Sequence, residues 1–336
     1  MSSESSDHTR VITDRPLVSL CLVTYRQERY VRKAVKSALA QTYTPLEIII
    51  SDDCSPDGTF EIIEEEIRAY RGPHRVISKR HSQNTGMAGN LNRAWELSSG
   101  EFIVIQSGDD ISMPERVEIL VDAWRTPSLV DLVVSEVIVI DPDDREMRRG
   151  WPDPVARPVT LSETIRQGEC YVLGCAVGHS RDLVARFGSI DPSVIQEDWV
   201  LPFRALVSRG IRVVNEPLVM YRQHGGNAWF GQQTRTRPTR EQARRLAINL
   251  LAIYREWLRA WKISGRVDDV AYERLVSLQR QCQYDVDCYD STRVGALRLA
   301  YRGLGEGLSV RQTLGLVKRH VLRYLSPNQI ILHTPG

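Results

Sequence analysis

The sequence predicts an α/β protein with a mostly parallel sheet flanked by helices and a helical C-terminal extension. Up to Ile140, short apolar runs rich in β-forming residues alternate with amphipathic segments. Such alternation is typical of βαβ units, which build parallel sheets covered by helices. Beyond residue 231, apolar residues recur at three- and four-residue spacing, which indicates helices.

The first part of the chain contains four predicted strand–helix pairs. The strands are expected at Leu17–Tyr25, Leu46–Asp53, His74–His81 and Gly100–Ser107, and the helices at 30–41, 55–70, 84–100 and after Pro114. The next apolar run, Leu129–Ile140, contains Asp131 and Glu136. Since these charges interrupt it, a buried strand or strand pair is expected there and not a membrane span.

The second part changes its pattern from Glu169 onward. We expect a strand and a short helix over 169–188, a helix over 194–210, a strand, turn and strand over 211–229, and helices over 240–261 and 268–286. A last amphipathic segment over 309–325 has an apolar face with basic residues around it: Leu314, Val317, Val321 and Leu325, with Arg311, Lys318, Arg319 and Arg323.

Charge and composition divide the chain into three parts. Residues 1–16 are polar and are expected to form a flexible tail; residues 17–230 hold the α/β pattern, and 231–336 form a basic helical region. Residues 1–230 carry 26 Lys/Arg and 33 Asp/Glu, whereas 231–336 carry 18 and 9. The tail lacks the apolar core of a signal peptide, and the six cysteines form no CxxC pair. Reduced thiols in a cytoplasmic protein are therefore expected.

Polar residues follow the predicted strands where each one ends. Such positions are occupied by Thr24-Tyr25-Arg26, Asp52-Asp53 and Asp109-Asp110. Because ligands of parallel sheets bind beyond the carboxyl ends of the strands, these residues are expected to converge on one crevice. Adjacent carboxylates beside Gly108 suit Mg²⁺ or Mn²⁺. They are equally compatible with a turn that caps the next helix, and the same two interpretations apply to Asp52-Asp53.

Two further motifs suggest acid–base or metal chemistry. Glu197 and Asp198 begin a predicted helix, where acids favour the helix dipole; a carboxylate there could also be a general base. His224 could ligate a metal or contact a diphosphate, or be an ordinary surface or core histidine. Gly225 and Gly226 behind it would let the backbone approach a ligand.

Four blocks resemble glycosyltransferase family 2, whose members have the GT-A nucleotide-sugar fold. They are PLVSLCLVTYRQERYVRKAVKSALAQTYTPLEIIISDDCSPDGT, NTGMAGNLNRAWELSSGEFIVIQSGDDISMPERVE, IQEDW and YRQHGGN, which fall in order within residues 17–228. The resemblance implies an inverting enzyme that moves a sugar from a nucleotide-diphosphate sugar to an acceptor hydroxyl by direct displacement.

The resemblance also implies site residues. A nucleotide-sugar pocket is implied for Thr24, Tyr25, Arg26, Asp52, Asp53, Asn84, Gly86, Asn90, Ser107 and Asp109. Asp109, Asp110 and His224 are implied as the site of a divalent metal, Mn²⁺ or Mg²⁺. Ser107 replaces the first aspartate of the family's Asp-x-Asp element, so metal coordination would depend on Asp109 and His224. Asp198 matches the proposed base, and Glu197 is its neighbour.

The expected partners are a nucleotide-sugar donor and a glycan or lipid-linked acceptor of envelope polysaccharide or lipopolysaccharide synthesis. The C-terminal region is interpreted as a solvated helical cap or as a surface for anionic membrane lipid on the inner face of the cell membrane; a homo-oligomer through these helices is a further expectation. A nucleotidyltransferase and a non-catalytic nucleotide-sugar module are the alternatives. No GxGxxG follows the first strand, and no basic strip rich in aromatics is present. Nicotinamide and nucleic-acid binding are therefore disfavoured.

Overall fold

The computed structural model describes residues 15–126, 128–150, 160–170, 172–225, 239–291, 293–305 and 308–320. All but two residues of the predicted tail lie outside these ranges, as do Val321, Arg323 and Leu325 of the last amphipathic segment. No described helix is both long enough and apolar enough to cross a bilayer.

A single mixed sheet organises the described residues. Its strands are β1 (Val18–Thr24), β2 (Leu46–Asp52), β3 (Arg75–Arg80), β4 (Phe102–Ser107), β5 (Ile111–Ser112), β6 (Leu132–Ile140), β7 (Glu146–Arg149), β8 (Val177–Ser180) and β9 (Ile211–Arg222). They are ordered β3-β2-β1-β4-β8-β6-β9-β5, with β7 beside β6. The first four are mutually parallel, as expected, and β6 and β9 are parallel too; β8 is antiparallel to β4 and β6, and β5 to β9.

Helices cover both faces of the sheet and form the C-terminal extension. They are α1 (Val31–Leu39), α2 (Thr59–Ala69), α3 (Gly86–Leu97), α4 (Arg116–Arg125), α5 (Leu161–Gln167), α6 (Arg181–Phe187), α7 (Glu197–Leu206), α8 (Arg240–Ser264), α9 (Asp269–Asp290), α10 (Arg293–Gly305) and α11 (Val310–His320), with a 3₁₀ turn at Gly174–Ala176. The predicted α/β class with a helical C-terminus is confirmed.

The alternation of β1 divides the interior into two apolar cores. Leu20 and Leu22 belong to the core that also contains residues of α1, α2 and α4. Cys21 and Val23 belong to the core shared with α3, α7 and α8. Because both faces of β1 are covered, all its residues are buried and it is mostly apolar, with only Ser19 and Thr24 polar.

The long helix α8 belongs to the second of these cores. The Trp257 ring stacks on Phe203 of α7, with centroids 4.5 Å apart and planes 5° from parallel. Its Nε1 donates to the carbonyl oxygen of Trp199 over 2.9 Å. The boundary expected between residues 230 and 231 stays a prediction, since residues 226–238 lie outside the described ranges.

Two local predictions are wrong. The turn expected within 211–229 is an irregularity in the continuous strand β9, where the register with β6 shifts on either side of Pro217. Proline lacks an amide donor, so the ladder accommodates it in a bulge. In α11, Val317 packs inward beside buried Leu316, whereas Leu314 is exposed. Leu314 and Val317, which were expected on one apolar face, therefore differ in their exposure. Helices α5 and α10 were not predicted.

Candidate active site

The carboxyl ends of β1 and β2 are joined by a buried hydrogen bond. Thr24 Oγ1 donates to Asp52 Oδ1 over 3.0 Å. Asp52 also accepts the Ser55 amide at 2.9 Å and the Ser55 hydroxyl at 2.6 Å. Both carboxylate oxygens are thus engaged within the protein, and Asp52 fixes the turn after β2. A contact of Asp52 with the base or ribose stays a prediction.

The carboxylate of Asp53 caps helix α3. Its Oδ1 accepts the Thr85 amide at 2.8 Å, and its Oδ2 accepts the Gly86 amide at 2.9 Å. Asn84 Nδ2 donates to the Asp53 carbonyl oxygen over 3.3 Å. Gly86 has φ +78°, which glycine adopts without strain. Asp53 therefore holds the loop that the family resemblance places over the nucleotide.

Asn90 connects α3 to the ends of β1 and β2. Its Nδ2 donates to the carbonyl oxygens of Ser51 at 3.1 Å and Thr24 at 3.4 Å, and its Oδ1 accepts from Ser51 Oγ at 2.6 Å. Asn90 is buried, whereas Tyr25 and Arg26 have exposed side chains. At this end of the sheet, Tyr25 and Arg26 are thus placed to contact a ligand, and Asn90 maintains the framework.

The glycine before the two aspartates lies directly against β1. The Gly108 amide donates to the Val23 carbonyl oxygen over 3.0 Å. A Cβ at this position would fall 2.6 Å from Thr24 Cγ2 and would also collide with Gln27 Oε1. Only glycine therefore allows the chain to leave β4 at this close approach. The half-buried Ser107 accepts the Asp110 amide through its carbonyl oxygen at 3.3 Å, which forms the turn.

The end of β9 brings a histidine and an arginine to the aspartates. His224 Nε2 lies 3.0 Å from Asp109 Oδ2. The Arg222 amide donates to Asp110 Oδ1 over 2.8 Å, and Arg222 Nε donates to the Asp109 carbonyl oxygen over 2.8 Å. Asp109, Asp110 and His224, which the resemblance assigns to one metal site, are therefore neighbours in the fold.

The two aspartates differ in their environment. Burial raises the pKa of the Asp110 carboxyl well above its usual range, the charge of Asp109 adds to the rise, and the hydrogen bond from Arg222 opposes it. Burial also raises the pKa of the Cys175 thiol, and the charge of Asp110 adds to that rise. Because Asp110 Oδ1 already accepts the Arg222 amide whereas Asp109 Oδ2 faces His224, Asp109 is the better placed of the two as a metal ligand.

Asp109 and His224 fit a divalent cation only as part of a larger ligand set. The described residues contain no group of three or more His, Cys, Asp or Glu side chains suited to a metal. Carboxylate oxygen and imidazole nitrogen are ligands that Mn²⁺ accepts. Ions of this kind are often held by one or two protein groups together with substrate phosphates. The pair therefore fits an ion that a diphosphate completes.

Two acids, the buried Glu197 and the half-buried Asp198, lie at the start of α7. Glu197 Oε1 is so close to the Gly174 backbone that a Cβ on Gly174 would fall 2.5 Å from it. Asp198 Oδ1 is buried and has no hydrogen-bond partner among the described residues. Burial raises the pKa of Glu197 to about 7. Burial also raises the pKa of Asp198 well above its usual range, and the Glu197 charge raises it further. Such shifts are typical of functional sites.

Tyr221 precedes Arg222, whose backbone amide contacts Asp110. Burial raises the pKa of the Tyr221 phenol, and the charges of Cys175, Asp110, Asp109 and Asp198 raise it further. The 3₁₀ turn connects the two sets of acids: it contacts β4, and a Cβ on its Gly174 would fall 3.5 Å from the Cβ of Asp198. The aspartates after β4 and the acids at the start of α7 therefore lie in the same region of the protein.

Helix α8 holds the loop that leads into α7. Asn249 Oδ1 accepts the Ile195 amide at 2.8 Å, and its Nδ2 donates to Gln196 Oε1 over 2.8 Å. Glu256 Oε1 accepts the Asp191 amide at 3.2 Å. Both side chains of α8 are buried. A helix of the C-terminal region thus fixes the backbone that presents Glu197 and Asp198.

Several residues of this site were not found from the sequence. Tyr221 and Arg222 lie within or beside the YRQHGGN block but were not singled out, and Gly174 and Cys175 have no motif. Asn249 did give a signal: it is a polar residue inside the apolar run AINLLAIY. A buried polar residue on an apolar helix face needs a partner, which here is the loop before α7.

Comparison with known proteins agrees with this architecture. A family model described as "Glycosyl transferase family 2" matches residues 19–183. The uncharacterized glycosyltransferase alr2836 of Nostoc sp. is 25% identical over 215 residues, which cover 62% of this chain and 66% of that relative. The chain thus spans just under two thirds of that relative's length.

Solved structures with similar folds cover most of the chain. S. aureus TarS 1-349 in complex with UDP-GlcNAc has a TM-score of 0.55 at 18% identity, over 92% of this chain and 91% of that one. Mannosyltransferase PcManGT from Pyrobaculum calidifontis, in complex with GDP-Man and Mn²⁺, has a TM-score of 0.50 at 16% identity, over 94% and 89%.

The sheet, its flanking helices and the acids at its strand ends define a GT-A fold. Over residues 19–183 the chain is similar to glycosyltransferase family 2. The individual site residues remain predictions.

Proposed function

We propose that this protein is an inverting glycosyltransferase that moves a sugar from a nucleotide-diphosphate sugar to a hydroxyl group of a glycan or lipid-linked acceptor. The observation that carries the proposal is the Oδ1 atom of Asp198, buried without a hydrogen-bond partner in the described part of the chain. A buried polar atom without a partner costs free energy. We therefore interpret this oxygen as the acceptor of a proton from a bound hydroxyl.

In this mechanism Asp198 acts as the general base. The acceptor oxygen attacks the anomeric carbon from the face opposite the diphosphate, and its proton passes to the Asp198 carboxylate. The bond between the anomeric carbon and the diphosphate oxygen breaks as the new bond forms, so the configuration inverts. One base is sufficient, and no covalent enzyme intermediate is needed.

The raised pKa of Asp198 supports this role. Burial and the charge of Glu197 make the deprotonated carboxylate a stronger base than an exposed aspartate. Proton transfer is most effective when the pKa of the base lies near the working pH. Glu197, at 8% exposed, would act through its charge on Asp198 and not by touching the acceptor.

The donor would lie across the ends of β1, β2 and β4. Tyr25 and Arg26 would contact the nucleotide, and the Asn84–Gly86 loop held by Asp53 would close beside it. Asp109 and His224 would hold Mn²⁺ or Mg²⁺ against the diphosphate. The ion, when bound, would neutralise the charge that develops on the departing diphosphate.

The relatives suggest the chemical class of donor. The TarS structure is a complex with UDP-GlcNAc and the PcManGT structure a complex with GDP-Man, so UDP and GDP donors are the first to test. We place the reaction in envelope polysaccharide or lipopolysaccharide synthesis, in the cytoplasm or at the inner face of the membrane.

The proposal is tested by a thermal-shift screen of UDP, GDP, CDP and dTDP and their common sugars, each with Mn²⁺, Mg²⁺ or EDTA. A ligand that binds only the folded state raises the midpoint. We expect one nucleotide class to do so in the presence of metal, and Asp109→Asn to remove the metal-dependent part of the shift. Asp122→Asn, on the exposed side of α4, is the matched control.

The donor found in this way is then incubated with candidate acceptors, and release of the nucleoside diphosphate is measured. Turnover that depends on an acceptor supports the transferase. Donor binding without any turnover would instead favour the non-catalytic nucleotide-sugar module. An Asp109→Asn protein that keeps its full metal response would contradict the assignment of Asp109.

A further inference from the structure

A second concave site lies between α5 and the turn that joins α8 to α9, and none of the strand-end acids lines it. It is a cavity of about 890 Å³, within the range of small-molecule sites. Its walls are largely apolar, but three of the lining side chains are guanidinium groups. The residues that matter for its chemistry are Arg166, Arg266, Arg274, Trp261, Val267 and Val270.

The three arginines give the cavity an excess of positive charge. Arg266 Nε donates to the Val207 carbonyl oxygen over 3.0 Å, and an Arg274 guanidinium nitrogen donates to the Arg166 carbonyl oxygen over 3.2 Å. None of the three forms an ion pair with a carboxylate among the described residues. The acid that lines the cavity, Asp268, accepts the Ala271 amide at 3.0 Å and caps α9. Backbone carbonyls therefore position Arg266 and Arg274, and the cavity lining holds three arginines against one acid.

The rim of the cavity carries two unusually exposed aliphatic residues. Val267 is 92% exposed and Val270 82%, the two highest values among the large apolar side chains described. Trp261 lies buried in the cavity wall below them. Folding gains nothing from aliphatic side chains that remain in water, whereas adjoining exposed apolar groups mark interaction sites.

Arginines beside protruding aliphatic side chains match the chemistry of an anionic bilayer surface. Guanidinium groups bind phosphate through several N–H donors, and short apolar side chains enter the boundary between headgroups and acyl chains. A soluble anion would explain the arginines but not Val267 and Val270. A purely apolar partner would explain the valines but not the arginines.

We propose that this cavity and its rim bind the phosphate headgroup of an anionic membrane lipid, with Val267 and Val270 inserted into the headgroup layer. Arg166 and Arg274 contact the phosphate, and Arg266 fixes the turn to the end of α7. The site differs from the basic face expected on the last helix. Lipid binding at this site does not require that the chain transfer a sugar. It gives this glycosyltransferase fold a place to dock on a membrane.

The test is co-sedimentation of the full chain with vesicles of phosphatidylcholine alone or of two parts phosphatidylcholine to one part phosphatidylglycerol. We expect binding to the anionic vesicles only, weakened by salt. A basic residue at a membrane surface contributes roughly a fivefold change in affinity. Arg166→Ala should therefore weaken binding by about that factor, and the double variant Val267→Asp, Val270→Asp should abolish it.

The matched control is Tyr301→Asp with Leu314→Asp, which changes two exposed apolar residues of α10 and α11. It should bind as the unchanged chain does, and unchanged thermal midpoints should show that all variants fold. Loss of binding in this control, with binding retained in the valine variant, would overturn the proposal. So would equal binding to both vesicle types. A midpoint raised by inorganic phosphate without any vesicle binding would assign the cavity to a soluble phosphate compound and also overturn it.

Discussion

Two aspartates of this protein lie at the starts of helices but have different surroundings. Asp53, which follows β2 in the chain, lies beside the start of α3, and both of its carboxylate oxygens accept backbone amides there. Asp198 stands in the first turn of α7, and its Oδ1 has no partner among the described residues. The first arrangement stabilises the fold, and we interpret the second as leaving an oxygen for the proposed acceptor. The proposed donor end is therefore built from completed hydrogen bonds, whereas the proposed base keeps an oxygen without one in the described part of the chain.

The largest effect should come from Asp198→Asn. An amide cannot take a proton from the acceptor, and a general base contributes roughly a hundredfold to ten-thousandfold to the rate. We expect the transfer rate to fall within this range while the donor dissociation constant, measured by calorimetry, stays nearly constant. Because the exchange removes a buried charge, the unfolding free energy should not fall. Weak donor binding in this variant would contradict the role of Asp198.

Glu197→Gln should change how stability depends on pH. The pKa of Glu197 is raised from 4.5 to about 7 in the folded protein, so folding favours the protonated form. Its contribution is fully present below the unfolded pKa and is lost as pH rises through about 7, a difference of up to about 3 kcal/mol. The free energy of unfolding, measured with urea at about pH 5 and about pH 8, should decrease less between these pH values in the variant than in the unchanged chain.

The same variant should lower the pKa of Asp198, because the Glu197 charge contributes to its rise. The acidic limb of the rate profile should then move to lower pH. An unchanged profile would show that the charge of Glu197 does not act on Asp198, and an unchanged stability difference would show that folding does not raise the pKa of Glu197.

Asp53→Asn should lower the free energy of unfolding, whereas Asp198→Asn should not. The amide can still accept one backbone N–H, but the hydrogen bond to the Gly86 amide loses its charged acceptor. A hydrogen bond to a charged group contributes about 1.5–3 kcal/mol. We expect the unfolding free energy to fall by about that amount in denaturant titrations, and by much less in the exposed control Asp122→Asn. Equal values for the two variants would show that the cap is not formed.

The smallest effect is expected from Asn249→Ala. The substitution removes two hydrogen bonds that hold Ile195 and Gln196 ahead of α7, at a cost of about 1–2 kcal/mol. If Asn249 positions the acids, kcat should fall several-fold while the donor dissociation constant is unchanged. Arg245→Ala, on the exposed face of the same helix, should alter neither. A loss of stability without a change in kcat would make Asn249 a structural residue only.

The sequence was sufficient for the parallel half of the sheet because β1, β2 and β4 are mostly apolar runs between clear turns, and the more polar β3 follows at the same strand–helix spacing. It also indicated where polar residues would gather, since strand ends on one edge converge. It could not show that Asp52, Asp53 and Asn90 bond inside the protein whereas Asp198 does not. That difference depends on the distances between side chains of separate elements, which residue types alone do not determine.

Helix α5 and the β9 irregularity were missed for a related reason. Helix α5 has seven residues, too few for its apolar spacing to be distinguished from a loop. The Asn215-Glu216-Pro217 segment has the composition of a turn, yet pairing with β6 on both sides keeps β9 continuous. Tertiary contacts decided both cases.

The stacking of Trp257 on Phe203 limits which substitutions α7 and α8 can accept during evolution. A substitution on the inner face of α8 changes the packing of α7, and with it the acids that α7 carries, so these two helices must vary together. Helices α10 and α11 pack around a small core of their own with Tyr284 and Cys288 of α9. We expect descendants of this protein to exchange or lose these outer helices while α8 is inherited together with the site.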